Sequence, residues 1–233
     1  MNDTDDVILF LFEGTAGEQS RRAAIVVGRF SPPTIGHYAL FDAAKKYIRN
    51  NPKLNLEAVP IAVIVEGVES SKDKLRNPLS AGERISFMTA SGKADGVKFL
   101  TATSAFAAFE EVRKAGFEPI AVAAGTDITD GYLGMLDTYF KTPDGGDIAH
   151  YAISMNRTSA PSAKLDSVAE LDAVLKYTDD EIPVNMVSAS LARHAVKEND
   201  LNKFTILVGL KDKPEIAELM FNKIKAQRRA AEK

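Results

Sequence analysis

The stretch that most constrains how this chain can fold is Gly28-Arg29-Phe30-Ser31-Pro32-Pro33-Thr34-Ile35-Gly36-His37. An apolar run, Ala23-Ala24-Ile25-Val26-Val27, precedes it and reads as a buried strand. The segment Tyr38 to Ile48 follows, with apolar residues at helical spacing. The decapeptide is therefore a strand-to-helix turn. Gly28 lets the backbone approach a ligand closely, and two prolines stiffen the loop. Gly36 leaves room beside the opening turn of the helix. His37 falls near a helix N-terminus, where unpaired N–H groups and the helix dipole favour an anion, typically phosphate.

The remaining chain repeats the alternation of strand and helix. Strands are expected over Glu57 to Val65, Val97 to Leu100, Pro119 to Ala124 and Ile148 to Met155. Helices are expected after the capping box Ser80-Ala81-Gly82-Glu83, from Ala105 to Ala115 after Ser104, over Gly131 to Phe140, and after a second capping box, Ser167-Val168-Ala169-Glu170. Such alternation predicts an α/β fold, a Rossmann-like doubly wound parallel sheet with right-handed crossovers. The polar stretch Gly67 to Pro78, with Lys72, Lys74 and Arg76, reads as a flexible loop whose cations can meet phosphates. Gly125-Thr126-Asp127 is a turn at a strand C-terminus, the edge where ligands of open α/β sheets collect. Asp127 there is either a ligand contact or a helix N-cap. Arg157, closing the last strand, is a phosphate contact or a plain surface arginine.

At 233 residues and 45% apolar content the chain suits one α/β domain. The expected organisation is an N-terminal extension over 1–22, the main domain over 23–212, and a C-terminal helix with a basic tail over 213–233. In that last segment the basic end (Lys223, Lys225, Arg228, Arg229) reads as a solvated face and a disordered tail. A net charge of −3 argues against a global nucleic-acid or membrane field. The absence of cysteine removes disulfides, thiolate nucleophiles and cysteine-ligated zinc, and fits a reducing cytoplasm. The acidic start (Asp3, Asp5, Asp6) is unlike a signal peptide. The run Val7 to Phe12 is too short to span a bilayer and reads as a strand or docking peptide.

A second chemical cluster is Val187-Ser188-Ala189-Ser190-Leu191-Ala192-Arg193. Serine hydroxyls and exposed N–H groups at a helix start suit phosphate oxygens. Arg193, about one turn after Ser190, points to the same end. A serine N-cap with a solvated arginine is the plain alternative.

The decapeptide resembles the nucleotidyltransferase superfamily signature Gly-x-Phe-x-Pro-x-(His/Thr)-x-Gly-His, and is most similar to the Gly-Arg-Phe-x-Pro form of nicotinamide-mononucleotide adenylyltransferases and their phage-encoded relatives. Asn77-Pro78-Leu79-Ser80-Ala81-Gly82-Glu83-Arg84 resembles the Asn-Pro-Phe-(Thr/Ser)-x-x-Glu-Arg element of the same enzymes, and Gly125-Thr126-Asp127 resembles their Gly-Ser-Asp turn. Residues 187–193 resemble the second signature, Ile-Ser-x-(Thr/Ser)-x-Ile-Arg, with Ala192 smaller than usual. The resemblance implies catalysis by His37, Thr34 and Arg193. It implies nucleotide binding by Gly28, Arg29, Phe30, Ser31, Gly36, Ser188, Ser190 and Asp127.

The implied reaction is attack of an acceptor phosphate on the α-phosphorus of a nucleoside triphosphate, with Mg²⁺ carried on the triphosphate. The most specific implication is ATP plus nicotinamide mononucleotide giving NAD and pyrophosphate. Cytidylyl, pantetheine-phosphate and flavin nucleotidyl transfer use the same framework, and a fold-retaining binding or structural protein without turnover is a further reading. Partners are then an NTP and a phosphorylated small molecule. A membrane or nucleic acid is not expected, and a homo-oligomer is open.

Overall fold

The computed structural model describes residues 21–50, 58–125, 131, 134, 151–155 and 187–232. Five strands, β1 (Arg21–Gly28), β2 (Val59–Val65), β3 (Lys98–Ala102), β4 (Phe117–Gly125) and β5 (Tyr151–Met155), form one sheet in the order β3-β2-β1-β4-β5. Every pairing is parallel. The helices are α1 (Ile35–Asn50), α2 (Val68–Lys72), α3 (Ala81–Ser91), α4 (Ala105–Lys114), α5 (Ala189–Lys197), α6 (Leu201–Leu207) and α7 (Pro214–Ala231).

The near-continuous apolar sequence of β1 follows from burial on both faces. Successive residues point to opposite sides. Ala24 and Val26 pack with Tyr38, Leu40 and Phe41 of α1 and Met88 of α3. Ala23, Ile25 and Val27 pack on the other side with Ala108, Phe109 and Val112 of α4. The sheet is thus doubly wound, as the alternation of elements predicts.

A third apolar cluster joins α5, α6 and α7 to Leu79 and Phe87, with Ile35 packed against it. Here the structure departs from the expected disordered tail. α7 is helical to Ala231 because Ala217, Met220, Phe221 and Ile224 form a buried stripe at helical spacing. Lys213 Nζ donates to the Ala90 carbonyl at 3.1 Å, and Lys223 pairs with Glu83 at 2.9 Å, so both ends of the contact with α3 are tied.

The capping box expected at Ser80 is present in full: Glu83 N–H donates to Ser80 Oγ, and Ser80 N–H donates to Glu83 Oε2. The expected loop after β2 instead contains the short helix α2. β4 begins at Phe117, two residues before the expected start. Asp127, Arg157, the capping box at Ser167, the N-terminal extension up to residue 20 and most of the helix expected over 131–140 lie outside the described residues.

Candidate active site

The strand order places β1 between β2 and β4. The crossover from β1 to β2 and β3 runs one way across the sheet, and β4 and β5 lie the other way, so the switch point falls at the C-terminal ends of β1 and β4. A cleft of ≈ 440 Å³ opens there. Its wall includes Val27 and Gly28 from β1, Val65 from β2 and Ala124 from β4.

The turn leaving β1 is unusual at Phe30, whose φ is +51° although it carries a bulky side chain. Such a conformation costs an L-residue about 1–2 kcal/mol and needs surrounding support. Burial supplies it. The Phe30 ring stacks at a tilt on His37 (centroids 4.8 Å apart) and on Phe41 (5.7 Å). A Cβ on Gly28 would stand 3.2 Å from that ring, so glycine at this position makes room for Phe30 as well as lining the cleft.

His37 is the third residue of α1, whose N-cap is Thr34. The Thr34 backbone N–H donates to His37 Nδ1 at 3.0 Å, and Thr34 Oγ1 lies 2.9 Å from the same nitrogen. The imidazole takes the place that glutamate has in a capping box. A backbone N–H can only donate, so Nδ1 accepts and the neutral ring carries its proton on Nε2. His37 lines the cleft. Thr34 is buried and stands behind the ring, and Gly36 is buried in the same helical turn.

Arg193 reaches the same cleft from α5. Its Nη1 donates to the Ser31 carbonyl at 2.5 Å, and its Nη2 donates to Ser190 Oγ at 2.9 Å. Ser188 is the N-cap of α5, its Oγ accepting from Leu191 N–H at 3.2 Å. Burial, followed by the charges of Arg29, Arg76 and Arg228, pushes the Arg193 guanidinium down to about 10, with Asp73 opposing. It remains charged at neutral pH, and the crowding of like charges there favours an incoming anion.

Of the residues singled out in the sequence, Gly28, Arg29, Phe30, Ser31, His37, Ser188, Ser190 and Arg193 border one cleft. Thr34 and Gly36 are buried and do not line it. Lys72 and Lys74 do not line it, whereas Arg76 and Asn77 do. Two contributions went unread in the sequence. Arg228, in the segment read as a tail, adds to the positive field at Arg193. Arg84, for which the sequence suggests no role, is fully buried beneath the signature loop. Arg84 does close the element that resembles Asn-Pro-Phe-(Thr/Ser)-x-x-Glu-Arg, a sequence signal that carried no role for it, whereas nothing in the sequence marked Arg228.

Among the described residues, no helix is long and apolar enough to cross a membrane. No curated protein matches the chain. Residues 25–135, just under half of the chain, match the model of the cytidylyltransferase-like family. That span contains the whole first signature, the second half of β1 and all of β2, β3 and β4, and it supports placement of this domain in the nucleotidyltransferase superfamily.

Proposed function

We propose that the cleft catalyses nucleotidyl transfer, with ATP as donor and a phosphorylated small molecule such as nicotinamide mononucleotide as acceptor. An acceptor phosphate oxygen attacks the α-phosphorus, the bond to the bridging oxygen of the β-phosphate breaks, and pyrophosphate leaves with that oxygen. The acceptor oxygen is already anionic near neutral pH, so no protein base is needed. The protein supplies position and positive charge. In this reading His37 donates from Nε2 to an α- or β-phosphate oxygen, held in its tautomer by Thr34. Arg193, with Ser190, holds the β- and γ-phosphates and the departing pyrophosphate. Arg29 and Arg76 add field at the cleft mouth. Mg²⁺ enters on the triphosphate as part of the substrate, mostly water-ligated.

The observation that carries the reading is the Arg193–Ser31 hydrogen bond, which seats the second signature on the first beside His37. The test is to incubate the protein with Mg²⁺, each nucleoside triphosphate in turn, and a panel of phosphorylated acceptors, and to follow pyrophosphate. Release that depends on one acceptor supports transfer and names the substrate. Triphosphate binding without release for any acceptor leaves a nucleotide-binding protein and defeats the enzymatic reading.

A further inference from the structure

We infer that Arg84 is a positioning residue that holds the signature loop in its phosphate-accepting shape, an inference that rests on the nucleotidyl-transfer reading. Arg84 has no solvent exposure, and it lies on α3 rather than on the loop it serves. Its Nη1 donates to the Arg29 carbonyl at 2.5 Å, and the same nitrogen stands 3.4 Å from the Val65 carbonyl at the end of β2. Its Nε donates to the Ser80 carbonyl at 3.2 Å. Its Nη2 pairs with Glu66 Oε1 at 2.8 Å, while Glu66 Oε2 accepts from the Ala81 N–H at 2.9 Å. One planar guanidinium thus joins the exit of β1, the exit of β2 and the start of α3.

The location on the loop gives this its functional meaning. A loop that offers N–H groups to an anion must place its carbonyls elsewhere, and buried carbonyls need donors. Two arginines supply them on either side of Phe30: Arg84 takes the carbonyl of Arg29 and Arg193 takes that of Ser31. A planar trans peptide points its N–H opposite to its C=O. Holding the Arg29 carbonyl against Arg84 therefore fixes the Phe30 N–H on the far side of that peptide plane, where it is offered to phosphate. The left-handed Phe30 between the two grips is the residue that needs such support. Lysine cannot replace the fork, because one ammonium cannot serve Arg29, Ser80 and Glu66 with the fixed geometry of five donors.

The experiment compares the wild type with Arg84→Lys and Glu66→Gln by calorimetric titration with pyrophosphate and with ATP–Mg²⁺, together with amide exchange at Phe30 and Ser31. Arg84→Lys is expected to fold cooperatively, to bind both ligands at least tenfold more weakly, and to exchange the Phe30 amide faster. Glu66→Gln leaves the carbonyl grips in place and is expected to bind within about threefold of wild type. Arg84→Lys binding like wild type while folded overturns the inference. If Arg84→Lys does not fold, Glu66→Gln decides. Retained affinity in that variant supports the carbonyl grip, and a tenfold loss assigns the role to the ion pair and overturns it. A wild type that binds neither ligand defeats the nucleotidyl-transfer reading instead. The amide exchange of the loop then still tests the grip: an unchanged Phe30 rate in Arg84→Lys overturns it.

Discussion

Arg193 donates from Nη1 to the carbonyl of Ser31, 162 positions earlier in the chain. The bond crosses from the C-terminal helical layer to the loop leaving the central strand. It brings the guanidinium into the cleft that His37 also lines. Two segments with little meaning apart, a glycine-proline turn and a serine-capped helix, thereby border one cleft of ≈ 440 Å³ at the switch point of a parallel sheet.

If His37 donates to the triphosphate through Nε2, its removal should cost about 100-fold in kcat, as loss of a preorganised donor does, or about 2.7 kcal/mol of barrier. Thr34→Val removes Oγ1 but keeps the backbone N–H on Nδ1, so its kcat should fall by about tenfold or less. Steady-state pyrophosphate release for both variants checks this. A larger loss for Thr34→Val than for His37→Ala would reverse the assigned roles.

The charge state of Arg193 sets an alkaline limit. Its folded pKa of about 10 lies below the free value of 12.5. Between those two values the unfolded chain holds more protons at this group, so its contribution makes the free protein more stable as pH rises through about 10. Pyrophosphate affinity should move the opposite way, falling over the same interval as the guanidinium loses its charge. Titration of pyrophosphate from pH 8 to 11 reads the affinity. Affinity that holds to pH 11 would show that the Arg193 guanidinium keeps its proton over this range.

Gly209 fixes the seating of the C-terminal layer. Its φ is +67°, and a Cβ there would lie 2.2 Å from Ile35 Cγ2 in the first turn of α1. Gly209→Ala should cost about 1–3 kcal/mol through overpacking, with about 1–2 kcal/mol more from the left-handed backbone. Urea unfolding measures it. The cost should shrink in an Ile35→Ala background, because the two sites share the clash. Equal costs in both backgrounds would place the strain elsewhere.

Ser80 caps α3 reciprocally with Glu83. Ser80→Ala should therefore destabilise the fold by about 1 kcal/mol. The urea midpoint should fall with an unchanged slope. An unchanged midpoint would show that α3 draws its start from Arg84 and Glu66 rather than from its cap.

Much of this was legible in the sequence, for local reasons. The run Ala23 to Val27 reads as a buried strand, and β1 is buried on both faces. The capping box at Ser80 and the turn into His37 announced their helices. The residues that were missed depend on distant partners. Arg84 stands in a recognisable element, but its role was not legible because its acceptors, the Ser80, Arg29 and Val65 carbonyls and the Glu66 carboxylate, come together only in the fold. Arg228 reads as part of a tail because the stripe that buries α7 meets its partners only in the folded layer. The short α2 and α6 lack the length over which periodicity shows.

The most direct measurement is a double-mutant cycle on pyrophosphate release with His37→Ala, Arg193→Ala and the combined variant, using the acceptor found to be active. If both side chains act on one triphosphate, the double variant should be nearly as active as the worse single one, well short of the product of the two losses. Losses that multiply fully, or single variants as active as wild type, would contradict a shared cleft.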